Sequence, residues 1–215
     1  IGLVGSEMCI RDRNNIMDKL AYERKYLDMG LKYVAGVDEV GRGPLAGPVV
    51  CCAVVMPLDE LIDGVDDSKK VPEKKRGSLA EEIMNKALSY SIAEVSEKEI
   101  DEINILNAVK KCMEKAVAGL EVKPDVVLVD GIDLHFDFPA EYIVRGDEKS
   151  YSIGAASVVA KVYRDGLMKK YAEQYPAYGF EKHKGYGTKV HTDSIKENGP
   201  CPIHRRSFIR KYTDE

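Results

Sequence analysis

The nine residues PVVCCAVVM (48–56) are apolar on both faces of the strand that they predict. A strand of this kind must be covered on both sides, as happens in the middle of a layered α/β protein. Further apolar runs predict neighbouring strands at 33–38 (YVAGVD), 125–130 (DVVLVD) and 141–147 (EYIVRGD). The central run therefore restricts the chain to folds in which a sheet is covered on both faces.

The segments between these strands have apolar residues at helical spacing. A capping box at Ser96 and Glu99 opens one predicted helix, whose apolar positions continue to Leu120. Other helices are predicted at about 16–30, 79–88 and 153–175, with a short strand near 91–95. The alternation of strands and helices predicts a layered α/β domain, followed by a loop-rich tail.

The composition excludes several classes of protein. With 44% hydrophobic and 32% charged residues, the 215-residue chain is neither collagen-like nor disordered. No apolar run approaches the roughly 20 residues of a membrane span. Five cysteines without a CxxC pair favour a reducing, cytoplasmic location and argue against a disulfide framework or a zinc site. These cysteines are Cys9, Cys51, Cys52, Cys112 and Cys201.

Charge is distributed unevenly along the chain. The formal net charge is −4, yet residues 182–215 contain eight Lys or Arg, four Asp or Glu and three of the four histidines. A basic end on an acidic protein fits binding to a polyanion, and it fits a solvated basic terminus equally well. Residues 1–13 (IGLVGSEMCIRDR) match neither helical nor strand spacing, and we predict that they are foreign or disordered sequence.

Acidic residues stand at the ends of three predicted strands. Asp38 and Glu39 come at the end of the first strand, and Asp130 and Asp147 end the last two. Two carboxylates about 5 Å apart repel by about 3 kcal/mol at an effective dielectric of about 20. A Mg²⁺ ion reverses the sign of this interaction, because it prefers oxygen ligands together with substrate phosphate. The pattern leaves two interpretations open, a divalent metal site or separate polar strand caps.

Seven segments form an ordered set along the chain: AGVDEVGRGPLAGPV (35–49), DDSKKV (66–71), EIDEINILNA (99–108), VLVDG (127–131), GDEKSYSIGAASVVAKVYRD (146–165), YGFEKHKGYGT (178–188) and HRRSF (204–208). Together they resemble bacterial ribonuclease HII, a family of the type 2 ribonuclease H group. One short match would carry little weight, whereas seven matches in the family's order cover nearly the whole chain.

The resemblance implies a ribonuclease H-like α/β fold, in which helices flank a five-stranded mixed sheet and a helical C-terminal extension follows. Residues 14–215 would form this catalytic domain. Asp165 is not assigned to the site, because it is expected to pair with Lys161 four residues before it on a helix. Mg²⁺ or Mn²⁺ is the expected cofactor, held by the family's four acids, which fall on Asp38, Glu39, Asp130 and Asp147.

The activity that the resemblance implies is endonucleolytic hydrolysis of RNA in RNA–DNA hybrids, including cleavage 5′ of a single ribonucleotide embedded in duplex DNA. It uses two metal ions and leaves 3′-hydroxyl and 5′-phosphate ends. Gly41, Arg42 and Gly43 are implied to contact the ribose 2′-hydroxyl, and Tyr186 to stack on the following deoxynucleotide. Phosphate contacts are expected from five basic residues, with plain surface charge an equal alternative for the last two: Lys69, Lys161, Lys184, Arg205 and Arg206.

Two alternative functions remain. Ribonuclease HIII is a sister family with the same chemistry and an additional N-terminal substrate-binding domain, for which the 37 residues before Asp38 are expected to be too few. An inactive nucleic-acid-binding module would be indicated by loss of an acid, whereas all four are present. We expect a monomer that binds hybrid and ribonucleotide-containing duplexes and no membrane, and a replication-clamp or polymerase partner stays open.

Overall fold

A five-stranded mixed sheet lies at the centre of the computed structural model, which describes residues 19–131 and 133–213. The prediction for residues 1–13 lies outside these described residues. The strand order across the sheet is β3-β2-β1-β4-β5. The strands are β1 Val34–Val40, β2 Val49–Val55, β3 Ser89–Val95, β4 Val126–Asp130 and β5 Ala140–Ile143.

Helices cover both faces of this sheet and continue beyond it at the C-terminal end. Within the described ranges the α-helices are α1 Ala21–Asp28, α2 Glu73–Lys86, α3 Glu97–Ala118, α4 Gly146–Lys149, α5 Tyr151–Gln174, α6 Phe180–His183, α7 Lys189–Asn198 and α8 Arg206–Ile209. None of them combines the length and apolar character that a membrane crossing requires. The architecture confirms the predicted α/β fold with its mixed sheet.

Strand β2 is the central run that the sequence predicts to be covered on both faces. It pairs antiparallel with β1 and β3, and all seven of its residues are buried. Cys52 and Val54 pack with α2 and α5 on one face, while Cys51, Ala53 and Val55 pack with α3 on the other. Full burial stabilises the fold by about 1.5–3 kcal/mol for a valine-sized side chain, which explains why the run has no polar position.

Helix α3 begins where the capping box predicts, with the Ser96 side chain accepting a hydrogen bond from the Glu99 N–H. The helix is interrupted at Asn104, whose φ of 66° and ψ of 165° are not helical. The Asn104 Oδ1 accepts hydrogen bonds from the N–H groups of Leu106 and Asn107 at 3.0 and 3.1 Å. Asn104 therefore acts as a second N-cap, and the predicted single helix consists of two segments.

The C-terminal part packs on the second half of α5. It forms a separate apolar cluster that includes Met168, Phe180, Ile195, Ile203 and Ile209. An isolated β-bridge between Ala46 and His204 joins this part to the loop that connects β1 and β2. The basic end of the sequence is thereby placed beside the carboxyl end of β1.

Candidate active site

The sheet brings three of the predicted acids together. Strands β1 and β4 are parallel, and Val37 pairs with Val129, so Asp38 and Asp130 follow in register. One carboxylate oxygen from each of Asp38, Glu39 and Asp130 lies within 4.8 Å of the other two. Strand pairing thus aligns Asp38 with Asp130, and Glu39 joins them from the next position at the end of β1.

The fourth acid, Asp147, reaches the site from a helical turn and not from a strand end. Strand β5 stops at Ile143, and Arg145 takes a left-handed conformation with a φ of 59° just before α4 begins. The prediction that Asp147 ends a strand is therefore wrong, because the chain reverses direction at Arg145. The Gly146 N–H donates a hydrogen bond to Asp130 Oδ1 at 2.6 Å, which holds this turn against the other acids.

All four acids line one cavity of about 300 Å³. Ser68 and Ser157, which the sequence analysis does not single out, also belong to its wall. The other residues of the wall that the sequence analysis names are Gly41, Arg42, Gly43, Lys69, Lys161 and Tyr186. The residues predicted to hold metal and the residues predicted to contact a sugar therefore line the same cavity.

Crowding of carboxylates in a buried place raises the pKa values of three of these acids, Asp38, Glu39 and Asp147. Burial, and then the charges of Glu39 and Asp130, raise the pKa of Asp38 well above its usual range. Burial and the charge of Asp130 raise the pKa of Glu39 to about 7 and that of Asp147 to about 6. Both effects disfavour the ionised carboxylates, so a divalent cation in this cavity would relieve an unfavourable interaction.

Lys69 extends to the cavity from the loop before α2. Its ammonium lies 3.7 Å from the Asp147 carboxylate and 3.8 Å from that of Asp67. Asp67 also shapes the loop, since its Oδ1 accepts the Lys69 N–H at 2.9 Å. Partial burial lowers the pKa of Lys69, but attraction to Asp67 and Asp147 outweighs burial, and the net shift is upward. The side chain is 80% exposed and accessible to a substrate phosphate.

Two buried serines lie beside the acids, Ser157 on α5 and Ser68 in the loop before α2. The hydroxyl oxygens of Ser157 and Ser68 lie 3.1 Å apart, within hydrogen-bond distance. A hydrogen bond between Ser157 and Asp38 favours the ionised form of that carboxylate. The sequence signal for Ser157 is a hydroxyl in a stretch of small apolar residues that faces the sheet, a place where a polar group needs a partner.

The loop after β1 and the Tyr186 ring lie against each other at the cavity. A β-carbon added at Gly43 would be 3.6 Å from Tyr186 Cε1, so the loop and the ring are in contact distance. The Tyr186 ring is 43% exposed, and the Arg42 guanidinium lies 3.9 Å from the Glu39 carboxylate. The structure therefore brings the predicted sugar-contacting residues next to the acids.

The lysines and Arg206 occupy different positions around this site. Lys161 forms the expected ion pair with Asp165 at 2.8 Å and lines the cavity. Lys184 lies outside the cavity wall, and its ammonium donates to the Glu181 carbonyl. Arg206 is exposed at the start of α8, and its N–H donates to Asp101 at 2.7 Å.

Arg205 requires a correction, because it is neither a surface charge nor placed to contact phosphate. Its side chain is 0% exposed, and its guanidinium donates to the carbonyl oxygens of Gly41, Arg42 and Gly47. The Arg205 N–H also donates to the Leu45 carbonyl at 2.9 Å. This pairing with the loop between β1 and β2 turns the side chain toward the protein interior.

A pair of buried histidines supports the Tyr186 segment from the interior. His191 Nδ1 donates to the Tyr186 carbonyl at 2.9 Å, and His191 Nε2 lies 3.0 Å from His204 Nε2. The Cys201 N–H donates to His204 Nδ1 at 3.0 Å, so His204 Nε2–H is the donor to His191. Both rings are neutral in this arrangement, and burial lowers the pKa of each to about 4.

Solved structures place this fold in a class of nucleases. The ribonuclease H2 of Pyrococcus horikoshii OT3 is 29% identical, with a TM-score of 0.72 over 84% of this chain and 97% of that one. The RNase HII of Archaeoglobus fulgidus, solved in a complex with PCNA, is 27% identical, with a TM-score of 0.69 over 81% of this chain and 94% of the matched one. The fold is that of a type 2 ribonuclease H.

Sequence comparison narrows the class to a family. The family model of ribonuclease HII matches residues 35–211. The ribonuclease HII of Caldanaerobacter subterraneus subsp. tengcongensis is 50% identical over 203 residues, which are 94% of this chain and 84% of that protein. This chain belongs to the ribonuclease HII family and is a metal-dependent hydrolase with ribonuclease H activity. The match decides against the ribonuclease HIII alternative.

Proposed function

We propose that the chain hydrolyses the RNA strand of RNA–DNA hybrids and also cuts on the 5′ side of a single ribonucleotide embedded in duplex DNA. The products carry 3′-hydroxyl and 5′-phosphate ends. One observation carries the proposal: a single cavity of about 300 Å³ contains both a group of four carboxylates and a glycine-flanked loop beside an aromatic ring. The first part suits phosphodiester hydrolysis, and the second suits recognition of a sugar.

Mg²⁺ or Mn²⁺ is the proposed cofactor, and the donor set fits either ion. The ligand group found in the described residues consists of carboxylate oxygens, which hard divalent cations prefer. Without a cation, burial and the charges of neighbouring carboxylates raise the pKa values of Asp38, Glu39 and Asp147. We assign ion binding to all four acids, Asp38, Glu39, Asp130 and Asp147.

The proposed mechanism divides the work between ions and side chains. When bound, two divalent ions would activate the attacking water and neutralise charge at the leaving 3′-oxygen. Asp38 and Asp130 hold the centre of the site from paired strands, and Glu39 and Asp147 complete the ligand set. A hydrogen bond from Ser157 favours the ionised form of Asp38 and opposes part of the increase in its pKa that burial and the neighbouring charges cause. No carboxylate is assigned as a separate general base, because all four serve as ligands.

Selection for RNA depends on the 2′-hydroxyl, the group that distinguishes ribose from deoxyribose. Gly41 and Gly43 have no side chains, so main-chain groups on both sides of Arg42 can approach the sugar closely. The partly exposed ring of Tyr186 offers a stacking face for the following deoxynucleotide, a contact worth about 1–3 kcal/mol. Loop and ring together recognise the junction between a ribonucleotide and the DNA that follows.

Basic side chains around the cavity are proposed to bind the phosphate backbone. Lys69 and Lys161 line the cavity itself. Lys184 and Arg206 lie outside the cavity wall and are assigned to phosphates farther along the duplex. Such contacts position a duplex without reading its sequence.

The archaeal relative solved with PCNA makes a sliding clamp the protein partner to test. A cytoplasmic location is also proposed, since the described cysteines are buried and unpaired: Cys51, Cys52, Cys112 and Cys201.

Cleavage of a duplex with one embedded ribonucleotide tests the proposal. The ribonucleotide strand carries a 5′ label, and separate reactions contain Mg²⁺, Mn²⁺ or chelator. We expect one labelled product that ends at the deoxynucleotide before the ribonucleotide and that a polymerase can extend. An all-DNA duplex and the Asp38→Asn variant are the controls. Cleavage on the 3′ side, or cleavage that persists in chelator, would overturn the proposal.

A further inference from the structure

Two arginines lie in the protein interior behind the cavity. Arg164 on α5 and Arg205 just before α8 are both 0% exposed. A buried guanidinium ordinarily pairs with a carboxylate, because an isolated charge loses its hydration. Across the described residues, however, the hydrogen bonds of both guanidiniums end on main-chain carbonyl oxygens. Burial lowers the pKa of Arg164 to about 10 and that of Arg205 to about 9.

Arg164 binds two substrate-facing segments at once. Its Nε donates to the Pro48 carbonyl at 3.0 Å and its Nη2 to the Ala46 carbonyl at 3.1 Å, both on the chain that links β1 to β2. Its Nη1 donates to the Lys184 carbonyl at 3.0 Å, close to Tyr186 in the chain. The planar guanidinium has donors in fixed directions and reaches three carbonyls, which a single ammonium on a lysine cannot do.

The two segments also touch each other around this guanidinium. The Leu45 N–H donates to the Gly185 carbonyl at 2.8 Å. A β-carbon at Gly185 would lie 2.6 Å from the Ala46 carbonyl oxygen, and one at Gly41 would lie 2.2 Å from Arg164 Nε. Both glycines have positive φ angles, +85° and +94°. The segments and the guanidinium therefore form one packed unit without room for further side chains.

Arg205 fixes the beginning and the end of the same loop. Its Nη2 donates to the Gly41 carbonyl at 2.6 Å, its Nη1 to the Arg42 carbonyl at 3.1 Å, and its Nε to the Gly47 carbonyl at 2.9 Å. Arg205 thus sets the shape of the loop. Arg164 differs from it because Arg164 alone of the two also holds the segment that carries Tyr186.

We propose that Arg164 is a positioning residue that fixes the Gly41-Arg42-Gly43 loop relative to Tyr186 and thereby sets the preference for a single ribonucleotide over a continuous hybrid. The inference rests on the proposed function, because it concerns how that site recognises its sugars. A single ribonucleotide is followed by a deoxyribose, so the loop and the ring must fit two adjacent sugars together. A continuous hybrid presents ribose at every position and tolerates a looser fit.

Two substitutions of Arg164 remove its hydrogen bonds to the two segments to different degrees. Arg164→Lys keeps the positive charge but only one donor group, and Arg164→Met keeps much of the volume with no donor. Val159→Ala is the matched control, since it removes buried methyl groups from the same helix within the apolar cluster that α5 shares with α2. Each protein is assayed at limiting substrate on a single-ribonucleotide duplex and on a continuous hybrid, and its melting temperature is measured in parallel.

We expect cleavage of the single-ribonucleotide duplex to fall about 10-fold in Arg164→Lys and about 100-fold in Arg164→Met, since a displacement of about 1 Å costs about that much. Cleavage of the continuous hybrid should fall much less, because ribose at every position tolerates a looser fit between the loop and the ring. Val159→Ala should change both rates equally. Equal losses on both substrates in the Arg164 variants would show a purely structural role and overturn the inference.

Amide hydrogen exchange provides a readout that needs neither substrate nor activity. In Arg164→Met, exchange should become faster in 41–48 and 184–187 together, whereas Val159→Ala should leave both segments protected. Unchanged exchange in either segment would overturn the inference. If the wild-type protein binds metal but leaves the single-ribonucleotide duplex intact, the proposed function fails, and the exchange result alone then decides whether Arg164 joins the two segments.

Discussion

Asp38, Glu39 and Asp130 lie on two paired strands, whereas the loop 41–43 and Tyr186 lie in connecting segments that buried polar side chains hold in place. In the carboxylate cluster (the three strand acids with Asp147), sheet register positions the strand acids, and the hydrogen bond from the Gly146 N–H to Asp130 holds the turn that carries Asp147. The sugar-facing rim (Gly41, Arg42, Gly43 and Tyr186) owes its position to Arg164, Arg205, His191 and His204.

This difference has a consequence for how each region responds to substitution. Many main-chain hydrogen bonds maintain strand register, so a change at a strand acid that keeps the shape of the side chain removes charge without moving the strands. The rim depends on a few buried donors, so a change behind it can move main chain that contacts substrate. Metal-dependent chemistry and sugar selectivity are therefore expected to be separable by mutation.

Asp130→Asn is expected to have the largest effect on activity and to affect the carboxylate cluster alone. Cleavage of both substrates should fall by more than about 100-fold, since even partners outside the ligand set are worth about 10- to 100-fold. Asparagine keeps an acceptor for the Gly146 N–H, so the turn that carries Asp147 stays in place. The metal-free variant should melt at the same temperature as wild type or slightly higher, because a repelling charge is gone.

Rates with Mg²⁺ and melting curves in chelator check this expectation. Substantial Mg²⁺-dependent cleavage by the variant would remove Asp130 from the ligand set.

Tyr186→Ala is expected to affect the rim and leave the carboxylate cluster intact. Loss of a stacking contact worth about 1–3 kcal/mol should slow cleavage of a single-ribonucleotide duplex by about 5- to 150-fold. A continuous hybrid should be affected less, and the dependence on metal concentration should not change. Tyr186→Phe keeps the ring and serves as the control. A lowered melting temperature with equal losses on both substrates would assign Tyr186 a packing role only.

The two regions also differ in how far their positions can be predicted from sequence. The strand acids follow apolar runs, so local patterns place Asp38, Glu39 and Asp130 at strand ends. The parallel pairing of β1 with β4 then decides between a shared site and separate polar caps. Asp147 is predicted as a site residue on the wrong element. The reason is that a four-residue helix after a left-handed Arg145 is too short to show helical periodicity.

The supports of the rim cannot be predicted from local patterns at all. Arg205 and Arg206 are adjacent and chemically identical in the sequence, yet one is buried and the other exposed. The hydrogen bond from Arg205 to Gly47 spans 158 residues, so only the tertiary structure decides which arginine turns inward. The histidines likewise contribute to a basic end of the sequence, although two of them are neutral and buried.

Acid should destabilise the rim through its histidine pair. The pKa of His191 and of His204 is about 4 in the folded protein, below the usual 6.5. The unfolded chain therefore binds protons first as pH falls below 6.5, and stability is lost progressively down to about pH 4. Each histidine contributes up to about 3 kcal/mol to this loss. Urea unfolding at several pH values should show a shallower decline for His204→Gln than for wild type. Parallel curves would contradict the assignment.

The carboxylate cluster should show the opposite pH dependence, with a smaller magnitude. Burial and the charge of Asp130 raise the pKa of Glu39 to about 7 in the folded protein, from an ordinary value of 4.5. The unfolded chain releases its proton first as pH rises, so the contribution of Glu39 to the stability of the metal-free protein is greatest below pH 4.5 and is lost as pH rises through about 7. After allowance for screening by water in the cavity, the loss is about 2 kcal/mol. Glu39→Gln should reduce the decline and leave the part that Asp38 and Asp147 contribute, and saturating Mg²⁺ should suppress the decline in wild type because a cation then balances the charge. Urea unfolding across this pH range measures the decline in wild type with chelator, in wild type with Mg²⁺ and in Glu39→Gln.

An undiminished decline both with Mg²⁺ and in Glu39→Gln would exclude the carboxylate cluster as its source. The pH contrast between the two regions would then rest on the histidines alone.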